Sequence, residues 1–195
     1  MTIEPESMPS GRMDEETSMT TPATDAVPIV SSSSLDWLMP PTGWTDTLTP
    51  MDGPIFWARL VSHESARVRR YKRPATVVVL DVMGLTELRQ LWGADVAVET
   101  LIQVGATVTK QIRSSDAAAR IGPTQFAVYL PETNEIDAIN FVERTRSAIA
   151  RTLGRKGDTI TVGIGWASPK NGSLDDAIQL AETRLARDAR EAASS

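Results

Sequence analysis

Few side chains of this sequence combine the type and spacing that chemistry needs, and they fall in three places. The first is Asp81, which ends the β-branched run Ala75-Thr-Val-Val-Val-Leu-Asp81-Val82. A carboxylate at the exit of a buried strand is costly without a partner, so Asp81 reads either as a metal ligand or as the cap of a helix starting near Gly84. The second is Arg113-Ser-Ser-Asp116, an arginine and a carboxylate three positions apart. Such a fork can take a phosphate. In the plainer reading, Arg113 complements a helix end and Asp116 opens a strand in a turn. The third is the turn Gly122-Pro123-Thr124-Gln125-Phe126. A tight turn between buried strands can hold side chains rigidly toward a ligand, yet Pro123, Thr124 and Gln125 include no acid, base or strong metal ligand. The turn is built like a site whose chemistry is gone.

The elements that must position these residues follow from periodicity. Residues 117–121, an apolar run broken by Arg120, and residues 126–130, closed by Pro131, read as two strands hinged at Gly122-Pro123. Residues 75–82 form a nearly continuous apolar run, as expected of a central strand covered on both faces. A helix is expected over 54–71, with Pro54 in its first turn and a basic end at Arg67, Arg69, Arg70, Lys72 and Arg73. Another spans 94–113 with the stripe Ala97, Leu101, Val104, Val108 and Ile112. Thr133 or Asn134 opens a helix to about 153, with Ile139, Val142, Ile149 and Leu153 inward. A strand over 159–167 and a last helix opened by Ser173-x-x-Asp176 complete the pattern.

Composition bounds the rest. The chain has 195 residues, 41% of them hydrophobic, which suits one domain with a tail. No apolar run approaches the ~20 residues of a membrane helix, and the start, Met-Thr-Ile-Glu-Pro-Glu, has no secretory pattern. With no cysteine, disulfides and thiolate metal sites are excluded and a cytoplasmic location fits. Residues 1–50 hold eight acids against Arg12, so the body is near neutral within a total of −5, which argues against a nucleic-acid partner. Residues 1–45 are acidic and rich in Ser, Thr and Pro, and are expected to be a disordered tail. Two islands interrupt it, Leu35-Asp-Trp-Leu-Met39 and Trp44, which either pack on the domain or dock a protein partner.

Arg-x-x-Asp, then Arg-x-Gly, a turn and Phe-Ala-Val-x-Leu-Pro resembles the GGDEF domain of diguanylate cyclases, and the likeness runs unbroken from about Asp46 to Arg190. That family condenses two GTP molecules into cyclic di-GMP. Its opening motif is similar to Asp46-Thr-Leu48-Thr49, and its last strand to Thr161-Val-Gly-Ile-Gly165. Its signature pentapeptide falls on Gly122 to Phe126, where the second glycine and both acids are replaced. Its metal-binding Asp falls on Asp81, the second Asp of that motif on Met83 and its lysine on Thr86. The guanine-contacting Asn and Asp fall on Arg89 and Val98, and the phosphate-facing lysine of the last helix is absent.

What the resemblance implies is an α/β domain, a central mixed β-sheet flanked by helices, over residues 46–195. It further implies a catalytically inactive domain with no cofactor, since Asp81 alone carries too little charge for the family's magnesium ions. The family's inhibitory Arg-x-x-Asp stands as Arg113 and Asp116, followed by Arg120, and implies a cyclic di-GMP sensor. The alternatives are an interaction or oligomerisation module without nucleotide, for which a homodimer is open, and an active cyclase that draws metal ligands from outside the chain.

Overall fold

A computed structural model describes residues 35–170 and 172–193. The acidic stretch before residue 35, with the run Ser31 to Ser34, lies outside the described residues. The elements run α1 (Pro54–Tyr71), β1 (Ala75–Met83), α2 (Leu85–Trp92), α3 (Ala94–Thr109), β2 (Ala117–Arg120), β3 (Gln125–Pro131), α4 (Glu135–Leu153), a 3-10 turn (Gly154–Asp158), β4 (Thr161–Ala167) and α5 (Leu174–Ala193). The four strands form one sheet in the order β2-β3-β1-β4. The α/β class stands, but every strand pair is antiparallel where a mixed sheet was expected. The parallel contact present is a single bridge between Asp52 and Ala119.

The continuous apolar run of β1 is explained by burial on both faces. Val78, Leu80 and Val82 enter a core with Leu85, Leu88, Leu101, Val104, Phe126, Val128 and Val142. Val77 and Val79 enter a second core on the opposite face with Trp57, Val61, Val68, Tyr129, Ala181 and Leu185. Side chains alternate across a strand, so one run serves both layers. β3 is shared the same way, with Phe126, Val128 and Leu130 on one side and Ala127 and Tyr129 on the other.

Several boundaries differ from the sequence reading. α3 stops at Thr109, and Lys110 to Asp116 turn into β2, so Arg113 does not end a helix. α4 is capped by Asn134, whose side chain accepts from the Ile136 and Asp137 N–H groups at 2.9 Å each. Its inner face is Ala138, Phe141, Val142, Thr145, Ile149 and Leu153, while Ile139 is 43% exposed. Ile139 sits one position off the true stripe and so turns about 100° away from the core.

Residues 35–45, assigned to the tail by composition, are held on the domain. Leu38 is 2% exposed within the first core, and Trp44 meets Phe56 edge-to-face at 6.0 Å. The Asp46 N–H donates to the Met51 carbonyl, and the Asp52 carbonyl accepts from the Arg120 N–H at 2.9 Å, so residues 45–52 hook onto the free edge of β2. Burial of one leucine and this edge pairing hold residues that composition alone assigns to the tail.

β4 lies against α5 through glycines. A Cβ at Gly165 would stand 2.0 Å from the Ala181 carbonyl oxygen. Gly165→Ala is therefore expected to push α5 off the sheet and cost about 1–3 kcal/mol or more, read as a lowered denaturant midpoint with an unchanged slope.

Candidate functional site

The β2–β3 hairpin sets the first candidate residues against the end of β1. In the antiparallel register Leu80 faces Phe126 and Asp81 faces Gln125. The Val82 N–H donates to the Thr124 carbonyl at 3.1 Å, which extends the pairing into the turn. Asp81 stays inside β1 and does not cap α2, whose N-cap is Gly84, with φ 87 and no side-chain cap bond. A Cβ there would meet the Thr159 carbonyl oxygen at 2.0 Å, so a glycine is required on both counts. The Asp81 carboxylate instead accepts from the Thr124 hydroxyl at 2.6 Å and, loosely, from the Gln125 amide at 3.4 Å. One acid thus faces two neutral groups. Among the described residues no three of His, Cys, Asp and Glu come together as a metal-holding group.

Arg120 is not available to a surface ligand. Its side chain is 1% exposed, and Nη1 meets Asp46 Oδ1 at 3.1 Å, with the Asp46 side chain equally buried. Nη2 donates to the Met39 carbonyl at 2.8 Å and to the Pro123 carbonyl at 2.7 Å. Asp46 in turn accepts from the Thr49 N–H at 2.8 Å and its hydroxyl at 2.6 Å. Burial pushes the Asp46 carboxyl up, but the Thr49 bonds and the Arg120 charge outweigh it and hold the group below its usual range. The reading of Arg120 as a ligand residue is corrected here: the fork is spent on fastening the N-terminal hook to the hairpin turn. In the sequence Asp46 stands out as the first residue of the family-like opening motif Asp46-Thr-Leu48-Thr49, and in the fold this Asp-x-x-Thr spacing lets its carboxylate close its own turn.

Arg113 and Asp116 do share one cleft. The Asp116 carboxylate accepts from the Arg113 N–H at 2.8 Å and from the Ser115 hydroxyl at 3.2 Å, so it closes its own turn as the plainer reading expected. Arg113 is exposed, and no carboxylate engages its guanidinium among the described residues. Both line a cleft of about 230 Å³ with Asp137, Asn140, Phe141 and Arg144 from α4. Arg144 holds the Gln111 side-chain oxygen and carbonyl at 3.0 Å each and lies 5.7 Å over the Phe141 ring. Sequence reasoning missed Arg144, because nothing local to α4 marks one arginine on a charged face. The cleft offers two guanidinium groups, a ring face and three carboxylates, of which Glu132 meets Arg73 and Asp137 accepts from the Asn134 amide, leaving Asp116 beside Arg113. The cleft can take a phosphate with a planar acceptor-donor edge but is too small to enclose a dinucleotide.

The remaining matched positions have other work. Arg89 is exposed with its guanidinium 5.2 Å over the Trp37 ring, and Val98 packs against the first core. Ala189, at the position of the missing lysine, would stand 3.3 Å from a Cβ on Gly163. In α5, Asp188 accepts from the Ile164 N–H at 2.9 Å and from Arg146, closing the outer edge of β4.

Comparison with known proteins identifies the family and the fold. Residues 43–194 match the family described as diguanylate cyclase, GGDEF domain. The diguanylate cyclase DosC of Escherichia coli K12 is 29% identical over 145 residues, covering 72% of this chain and 32% of DosC. The chain thus spans about a third of the length of the curated relatives it matches. Among solved structures, the GGDEF domain of DgcB from Caulobacter crescentus, in complex with c-di-GMP, superposes with a TM-score of 0.70 at 21% identity, covering 77% of this chain and 92% of that one. The diguanylate cyclase SiaD from Pseudomonas aeruginosa, in complex with its activator SiaC, superposes at 0.68 with 23% identity, covering 75% and 58%. These likenesses fix the fold. No helix of the described residues is long and apolar enough to cross a membrane.

Proposed function

The chain belongs to the GGDEF domain family of diguanylate cyclases, and we propose that it is a non-catalytic member that receives cyclic di-GMP at the cleft between Arg113 and Arg144. The observation that carries the reading is a contrast between two sites. At the hairpin, Asp81 faces Thr124 and Gln125; at the α4 cleft, an exposed Arg113 stands beside Asp116 with a second guanidinium opposite. The magnesium ions that the family's chemistry uses do not fit the first site. Two hard cations need several anionic oxygens, and the single carboxylate there already accepts from the Thr124 hydroxyl. No step of dinucleotide synthesis is assigned to this chain.

At the cleft, Arg113 and Arg144 would take phosphate oxygens, and Asp116 would accept from the N1–H and amino group of a guanine edge. Calorimetric titration of cyclic di-GMP against the protein tests this: saturable binding is expected, and its absence would remove the sensor reading. Incubation with GTP and magnesium or manganese is expected to give no cyclic di-GMP. Product that vanishes in Asp81→Ala would overturn the non-catalytic assignment.

A second reading, an interaction module without nucleotide, is favoured by one observation. Leu91 and Trp92 end α2 side by side at 69% and 50% exposure, and contiguous exposed apolar side chains are the kind of surface that protein partners cover. If no dinucleotide binds, this reading takes over.

A further inference from the structure

Residues 35–39 do something that none of the preceding chemistry uses. Leu38 is buried in the core that holds Leu85, Leu88 and Phe126. On one side Trp37 lies under the Arg89 guanidinium of α2, 5.2 Å from ring to cation. On the other, the Met39 carbonyl accepts from Arg120 at the end of β2 at 2.8 Å. The segment therefore bridges α2 and the hairpin. Among the described residues its backbone forms a turn bond from the Leu38 N–H to the Leu35 carbonyl at 2.8 Å.

We propose that residues 35–39 are an intramolecular plug: a short peptide of this chain seated in an apolar socket between α2 and the end of β2, which local opening empties while the sheet stays folded. Leu38 is fully buried, Trp37 is half-buried against the same core, and Met39 is 72% exposed. Pro40 and Pro41 follow, and with no backbone N–H they can add no ladder bond. A segment held by few buried contacts and few backbone bonds opens well before the structure around it. α2 and α3, by contrast, keep helical hydrogen bonds throughout and bury Leu85, Leu88, Leu101 and Val104. While seated, the plug occupies the surface beside Arg89 and Arg120 and keeps other ligands from it. Opening removes one acceptor from the buried guanidinium that also holds Asp46 and the Pro123 carbonyl, so the plug and the hairpin turn are coupled.

The socket's partner class follows from its occupant: a peptide with an aromatic residue followed by a leucine. A tethered segment competes at high effective concentration, so a free peptide cannot enter the intact chain. The inference concerns a surface distinct from the Arg113 cleft, so a failed cyclic di-GMP titration leaves it standing.

The full chain provides the test. In hydrogen exchange, the amides of Leu38 and Met39 are expected to exchange at least about tenfold faster than those of Leu101 and Val104. Equal protection would mean that the plug leaves only on global unfolding, and would overturn the proposal. The second arm uses Leu38→Ser in the full chain with a fluorescent apolar dye. A single saturable dye site absent from the wild type is expected, with the cooperative melt retained. A synthetic peptide of residues 35–42 should displace the dye, and the same peptide carrying Leu38→Ser should not. A variant that fails to fold, shows no dye site, or releases dye to both peptides alike would each overturn it.

Discussion

Asp46→Ala is expected to destabilise the protein by about 3–5 kcal/mol, the range for leaving one member of a buried ion pair without its partner. For a domain of this size that is a fall of roughly 10 °C or more in Tm. The Arg120 side chain is 1% exposed and cannot turn out to water, so the orphaned guanidinium would keep only the Met39 and Pro123 carbonyls. The Thr49 N–H and hydroxyl lose their acceptor in the same change. Asp46→Leu combined with Arg120→Met should be milder than either single change, because removing both charges leaves no unpaired ion. A loss below about 1 kcal/mol for Asp46→Ala would place the pair among solvent-screened contacts.

The pH dependence follows from the same group. Asp46 is held below its usual range, so its contribution is present above the unfolded carboxylate value of about 3.9 and is lost as pH falls through the lower folded value. The wild type and Asp46→Ala should differ most near neutral pH and converge in acid, which melts across a pH series would show. The guanidinium stays charged throughout, so no second transition from Arg120 is expected.

Legibility in the sequence tracked the range of the interaction. β1, β3 and the α3 stripe were readable because a run or a 3.6-residue period is written in neighbouring residues. The hairpin at Gly122-Pro123 was readable for the same reason, to within one residue of its strands. Arg120 was misread because its partner Asp46 lies 74 residues away and no local pattern joins them. An arginine inside an apolar run can be a ligand fork or a buried fastener, and only the tertiary partner decides. The tail boundary at residue 45 was misplaced because composition averages over Ser, Thr and Pro, whereas the islands at 35–39 and Trp44 were legible as segments able to pack on the domain, and Leu38 and Trp44 do so. Ile139 failed for a geometric reason: its neighbour Ala138 is the buried residue, and side-chain size misled the choice of face. Asp81 was legible as an acid needing a partner, but that partner, the Thr124 hydroxyl, comes from the opposite strand's turn.

Arg113→Ala is expected to weaken cyclic di-GMP binding at least tenfold, while leaving the melting temperature within a degree or two. A charge-assisted hydrogen bond contributes about 1.5–3 kcal/mol, and each 1.4 kcal/mol is a factor of ten in affinity. The guanidinium is exposed and engaged by no carboxylate among the described residues, so its removal takes little from the fold. Asp116 behaves differently. Its carboxylate also accepts from the Arg113 N–H and the Ser115 hydroxyl, so Asp116→Ala would loosen the turn and confuse ligand loss with misfolding. Asp116→Asn is the better change, since one amide oxygen can keep the turn bond while the charged acceptor for a guanine edge disappears. Arg144→Ala should fall between these cases, because that fork also holds the Gln111 carbonyl in the turn that follows α3. The ordering is therefore Arg113→Ala weakest in binding with unchanged stability, Asp116→Asn reduced in binding, and Arg144→Ala reduced in both. Binding that Arg113→Ala leaves intact would place the dinucleotide elsewhere on the molecule and end the assignment of this cleft.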